Sequence, residues 1–139
     1  MYLNKDLDYT KVKSLDLGYP VKRPKVPKEV YEKRLARLVE SMKAQGLDAV
    51  AIYADREHYG NFHYFLGVDP RFEEALLCIF ADGSAAVAFG NECYSLSEIA
   101  MIDVKPVLCQ MFSLPNQPMD SFTGIDDVIS ACGLKKECA

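Results

Sequence analysis

Asp82-Gly83 constrains this chain more than any other pair of residues. It stands between two apolar runs, Glu74 to Ala81 (EALLCIFA) and Ser84 to Phe89 (SAAVAF). Asp-Gly supplies the backbone conformations of a tight two-residue hairpin, so the runs are predicted to be antiparallel neighbours in a sheet. The run Ala49 to Tyr53 suits a further buried strand and is too short for a globular helix. Val104 to Cys109 adds another, with Pro106 marking an edge or a strand start.

Helical signals fill the spaces between these strands. Tyr31, Leu35, Leu38, Val39 and Met42 fall at helical spacing and predict a helix from about Lys28 to Gln45. Pro27 suits its first turn, Glu29 and Glu32 favour its positive end, and Gly46 supplies the stop. Arg34, Arg37, Glu40 and Lys43 are expected on its wet side. Asp55 is placed to cap a short helix over about Arg56 to Phe65, ended by Gly67. After the turn Gly90-Asn91-Glu92, a third helix is expected over about Cys93 to Met101. Thr123 can cap a last one over Gly124 to Ala131, stopped by Gly133. The order becomes arm, α, β, α, hairpin, α, β, α. It predicts an α/β domain with a mixed sheet of about four to six strands flanked by helices in two or three layers, the helical crossovers favouring parallel neighbours.

Residues 1–27 read separately, as an extended arm punctuated by Gly18, Pro20, Pro24 and Pro27. Leu15, Leu17, Tyr19 and Val21 alternate within it, as in an irregular edge strand docked on the body. Residues 28–139 then form the single α/β domain, in which half-apolar composition gives a real core.

Charge and cysteine usage exclude several classes. The net charge of −4 divides into +5 over residues 1–43 and −9 over residues 44–139. The lysines of the basic part alternate with carboxylates and form no basic patch interleaved with aromatics, so no nucleic-acid partner is expected. No apolar run reaches about 18 residues, so no membrane span is expected. MYLNKDLDYTKVK lacks the apolar centre of a secretory signal, and a cytoplasmic protein is expected. Cys78, Cys93, Cys109, Cys132 and Cys138 are odd in number, with no CxxC spacing. They read as free thiols in a reducing compartment rather than as a disulfide framework.

The chemistry-bearing residues concentrate after the strand at Ala49. His58 and His63 are spaced i, i+5, about 140° apart around a helix, and lack the HxxxH or HExxH pattern of a metal site. No metal is assigned to this chain. A Cys/His nucleophile has only Cys93 near a helix start to support it. No GxGxxG or GxxxxGK[ST] phosphate loop occurs. There remains the polar cluster Asp55, Arg56, Glu57, His58 and Asn61, followed by Asp69, Arg71, Glu73 and Glu74. It reads either as a solvated turn and loop with weak ion pairs, or as a recognition edge whose two arginines grip carboxylates. Strand-end loops favour the second reading and do not decide it.

Arg34-Leu35 with Leu38, Gly46-Leu47-Asp48-Ala49, Asn61-x-x-Tyr64-x-x-Gly67 and the Asp82-Gly83 hairpin occur here in a familiar order. Together they resemble the amino-terminal domain of the creatinase, prolidase and aminopeptidase P family over roughly residues 28–133. The family often carries Ser or Thr before the glycine, where this chain has Leu66. The segment Asp55 to Glu74 with Gly90-Asn91-Glu92 is similar to a less characterised branch of these metallopeptidase-like proteins.

The resemblance implies a ribonuclease H-like α/β fold without chemistry of its own. In the family, two divalent metal ions are held by two aspartates, a histidine and two glutamates of a carboxy-terminal "pita-bread" domain. Such a domain does not fit in 139 residues, and no histidine follows His63. The chain is therefore expected to be the first domain of a larger homodimeric hydrolase, an Xaa-Pro dipeptidase or aminopeptidase or a creatinase-like C–N hydrolase. It would narrow the substrate entrance and build dimer contacts. Carried over, Arg56, His58, Asn61 and Arg71 are expected to contact a peptide or small carboxylate substrate, with no catalytic residue in this chain. The alternative is a free-standing α/β module that binds a small ligand or a protein. A third reading, an independent thiol or metal enzyme, requires activity lost with Cys93→Ser or with a chelator.

Overall fold

The apolar stripe predicted for the first helix is the one that packs. Helix α1 (Lys28–Gln45) buries Tyr31 and Met42, with Leu35, Leu38 and Val39 half-buried behind them. Pro27 enters it in extended backbone, and Gly46 ends it at φ 69°, its N–H turned back to the carbonyls of Met42 and Lys43. The computed structural model describes residues 10–19, 21–22, 24–120 and 124–135. The Thr123 cap and Cys138 lie outside the described residues.

Four strands form one mixed sheet among the described residues, in the order β1 (Ala49–Ala54), β2 (Ala75–Phe80), β3 (Ala85–Phe89), β4 (Lys105–Leu108). β1–β2 and β2–β3 are antiparallel, and β3–β4 is parallel. Successive side chains point to opposite faces of a strand, and this parity divides the core. Leu77, Ile79, Val87 and Phe89 meet α1 and α2 (Gly60–Leu66) on one face. Cys78, Ala86 and Ala88 meet Val128 and Cys132 of α3 (Ile125–Cys132) on the other. The architecture is thus a three-layer α/β sandwich, and every residue of β3 is buried.

Several local expectations are corrected. The hairpin loop has three residues, Ala81 to Gly83, rather than two, because the Phe80 N–H bonds to the Ser84 carbonyl at 2.9 Å. Gly83 takes φ 91° there, the left-handed residue of a bulged turn. The α2 crossover joins antiparallel strands, not parallel ones. Seven helical residues span about 10 Å, half of what six strand residues cover. The chain is not carried back to the start of β1, and β2 begins near the end at which β1 stopped.

The helix expected over Cys93 to Met101 is a 3-10 helix, Tyr94–Ile99. Within it the Ser97 hydroxyl donates to the Tyr94 carbonyl at 2.8 Å, competing with regular helical bonding. A second 3-10 turn, Gln110–Phe112, follows β4. The expected edge strand of the arm does not dock among the described residues: Leu15, Leu17, Tyr19 and Val21 are 85–100% exposed. Gly18 breaks the extended run at φ 65°, its N–H taken by the Asp16 carboxylate at 3.0 Å.

Arg34 departs from the wet face predicted for it. Its guanidinium lies 4.1 Å from the Tyr64 ring centroid and 4.8 Å from that of Tyr31, and Nη1 donates to the Tyr64 carbonyl at 2.7 Å. It fastens α1 to α2. A cation–π contact and one charge-assisted hydrogen bond together predict a loss of about 2 kcal/mol for Arg34→Ala. Arg34→Lys should recover less than half of it, because an ammonium lacks the planar fork. Urea denaturation of the two variants measures both; a fully stable Arg34→Lys would contradict the stacking account.

Candidate functional site

The site is built by two connections at the carboxyl end of β1. The first begins at Asp55. Its Oδ1 accepts the backbone N–H groups of Glu57 at 2.8 Å and His58 at 2.7 Å, and lies 3.0 Å from His58 Nδ1. Asp55 therefore closes a side-chain-bonded turn and does not cap a helix from Arg56; α2 starts later, at Gly60. The Glu57 N–H, then the His58 side chain and N–H, hold its carboxyl below the ordinary aspartate value. The turn leaves Arg56 and His58 exposed to solvent.

The second connection runs from Gly67 to β2. Asp69 Oδ1 accepts the Arg71 N–H at 2.7 Å, Pro70 is buried, and Arg71 takes the left-handed conformation at φ 59°. That conformation costs a residue with a Cβ about 1–2 kcal/mol, and the neighbours hold it in place. The Pro70 carbonyl accepts from the Glu73 N–H at 3.1 Å and from the Cys93 thiol at 3.1 Å.

Glu73 is the residue that the sequence reading misplaced. Read as part of a charged loop, it is 1% exposed. Its Oε1 accepts the Glu92 N–H at 3.0 Å and its Oε2 the Cys93 N–H at 2.8 Å. The carboxylate binds the loop before β2 to the turn after β3. Gly90 is required for this approach: a Cβ there would sit 2.5 Å from Glu73 Oε1 and 2.7 Å from the Ser113 nitrogen. Asn91 continues the network. Its N–H donates to Ser113 Oγ at 2.8 Å, its amide donates to the Pro118 carbonyl at 2.9 Å, and its Oδ1 accepts from Gln110 Nε2 at 3.0 Å. The Gly90-Asn91-Glu92 turn is thus structural, and no spacing rule in a single sequence joins Glu73 to it.

Of the four residues carried over from the resemblance, two converge. Arg56 and Arg71 line one open cleft of about 420 Å³ with Tyr59, Asp69 and Phe72. Among the described residues neither guanidinium forms an ion pair. His58 is not in the cleft lining; it leans on Asp55. Asn61 faces a different groove, with Leu38, Phe65 and residues 50–53 of β1. Leu66, where the family often has a hydroxyl, is fully buried in the core.

Among the described residues no group of three His, Cys, Asp or Glu side chains is arranged to hold a metal ion. Burial, then the charges of Glu92 and Asp69, push the Cys93 thiol above its ordinary value, the opposite of an activated nucleophile. Burial also raises the Cys109 thiol. Burial and then the Glu74 carboxylate raise the phenol of Tyr53. No helix among the described residues is long and apolar enough to cross a membrane.

Comparison with known proteins adds neighbours in structure and none in sequence. No protein-family model and no curated protein matches this chain. Among solved structures it is similar to the creatinase/prolidase-like N-terminal domain of a Corynebacterium diphtheriae protein described as a metallopeptidase. That alignment has a TM-score of 0.49 and 20% identity, over 58% of this chain and 60% of the other. It is also similar to dipeptidase PepE from Mycobacterium ulcerans, with a TM-score of 0.48 and 16% identity, over 61% of this chain and 24% of the other. The matched part spans less than two thirds of either neighbour.

Two substitutions separate the frame from the cleft. Glu73→Ala strands two backbone N–H groups at about 1–3 kcal/mol each, so chemical denaturation should show a loss of about 2–6 kcal/mol. Arg71→Gly removes a guanidinium and relieves the left-handed backbone, so its stability should equal or exceed that of the parent chain. A destabilised Arg71→Gly would mean that the side chain itself holds the loop.

Proposed function

We propose that this chain is the non-catalytic amino-terminal domain of a metallopeptidase-like hydrolase, presenting carboxylate-binding arginines beside a catalytic site supplied by another domain. The observation that carries the reading is the convergence of Arg56 and Arg71, both without ion pairs, on one cleft. A guanidinium offers two parallel N–H donors to a carboxylate, and two of them make an anion the natural occupant. Tyr59 and Phe72 flank them and favour a carboxylate with an apolar body.

The order of sequence motifs that resembles the creatinase and prolidase amino-terminal domain supports placing the cleft in a hydrolase. In such a parent, a homodimer with two divalent ions in its catalytic domain, the arginines would receive the carboxylate end of a peptide or of a small C–N substrate. Their role is positional: they fix one end of the substrate and transfer no proton. The cleft is complete within this chain, which favours one second reading, a free-standing module for small carboxylates.

Calorimetric titration with hippurate, and with its uncharged amide as control, tests the cleft. The acid should bind and the amide should not, and Arg56→Ala or Arg71→Ala should each weaken binding at least about tenfold, the equivalent of about 1.4 kcal/mol. Equal binding of acid and amide would exclude the arginine site. The purified chain should not turn over prolyl dipeptides with or without added divalent metal; detectable hydrolysis would overturn the non-catalytic assignment. The intact mass of the protein captured from its source cells separates the two readings. A species two to three times the 15.6 kDa of this chain indicates the hydrolase parent, and one of 15.6 kDa the free module.

A further inference from the structure

β1 is an edge strand, and it carries none of the usual protections. Its sequence, AVAIYA, has no charge and no proline, and among the described residues it pairs with β2 alone. Tyr53 is 48% exposed. Along the strand runs a groove of about 410 Å³ whose apolar walls include Leu38, Val50, Ile52 and Phe65. By contrast, the opposite edge, β4, contains Pro106 and carries exposed Lys105.

The same chain holds a segment with the complementary pattern. In fully extended backbone Leu15, Leu17, Tyr19 and Val21 would share one face, and all four stand exposed. Four large apolar side chains in water are unfavourable, and burying each would contribute about 1.5–3 kcal/mol before ordering costs. Charges match at both ends. Lys11 and Lys13 precede the apolar face and Lys22 and Lys25 follow it, while β1 is bounded by Asp48 before it and by Asp55 and Glu57 after it.

We propose that the β1 edge takes the arm of a second copy of this chain as an added strand, and that reciprocal exchange of the two arms closes a two-fold dimer. The odd-numbered face of residues 15–21 fills the groove, and the main chain pairs with the outer edge of β1. Gly18 swings from its left-handed turn into extended backbone, which a residue without a Cβ does freely. The partner's arm is favoured over the chain's own by the spacer between them. By sequence Pro20, Pro24 and Pro27 favour the extended polyproline form, which Pro27 adopts at φ −65° and ψ 153°, and a stiff spacer of eight such residues would cover about 25 Å. Closed exchange also pairs the β1 edge of both copies by the same contact, as a two-fold assembly requires.

This inference shares only the dimer with the function proposed above. A chain that binds hippurate yet stays monomeric would overturn the arm exchange alone. The experiment compares the full chain with the full-length double variant Leu15→Asp/Leu17→Asp by sedimentation velocity over a concentration series. Both positions are more than four-fifths exposed, so the fold of the variant is not at risk. The full chain should double its mass with rising concentration while the variant stays monomeric. Amide exchange of residues 50–53 should slow about tenfold on the same concentration scale, as local opening becomes coupled to dissociation. A monomeric full chain, a variant that still dimerises, or protection of β1 independent of concentration would each overturn the proposal; the last would place the chain's own arm on β1.

Discussion

The buried carboxylate of Glu73 is the contact on which the candidate site depends. It takes two backbone N–H groups from the turn after β3, and so ties the loop entering β2 to the far end of β2's hairpin partner. A buried polar group is tolerated when it is hydrogen-bonded, and removal of the acceptor leaves the donors stranded. Gly90 is the counterpart of this bond, since any side chain there would occupy the carboxylate's place. Around it Asn91, Gln110 and Ser113 extend the same polar frame outward. The effect is rigidity close to an exposed loop.

That rigidity explains how Arg71 can sit in left-handed backbone without being a glycine. Asp69 fixes the start of the loop, the buried Pro70 its middle and Glu73 its end, so the strained residue between them has little freedom to relax. The side chain is projected into the cleft from one connection while Arg56 arrives from the other, the latter set by the Asp55 turn. Neither arginine is spent on an internal ion pair among the described residues. Among those residues no group of three His, Cys, Asp or Glu is arranged to hold a metal ion, and burial raises the Cys93 thiol.

Much of the fold was legible because local signals were strong. The stripe on α1, the glycine stops at Gly46, Gly67 and Gly133, and the apolar runs around Asp82-Gly83 each act within a few residues. What failed were inferences that needed distance or length. The hairpin loop gained a residue because Ser84 paired with Phe80. The β1–β2 pair is antiparallel because α2 is too short to carry the chain back along the sheet. Asp55 satisfies a turn instead of capping a helix, and α2 starts five residues after it. Of the site, Arg56 and Arg71 were legible as a pair of grips after a strand; their meeting in one cleft, the separation of His58 and Asn61, and the burial of Glu73 were not. The meeting of Arg56 with Arg71 and the burial of Glu73 depend on contacts between segments about 15–20 residues apart, which periodicity does not encode.

The most direct test of the central claim is the response of the arginine side chains themselves. In the isotopically labelled chain, each arginine Nε–Hε group gives its own magnetic resonance signal, assignable by substitution, and hippurate can be added stepwise. The account predicts that the signals of Arg56 and Arg71 shift together with a single saturation curve, while that of Arg34, held between its two tyrosines, stays in place. Shifts confined to other arginines, or two unrelated curves for Arg56 and Arg71, would contradict a shared carboxylate cleft.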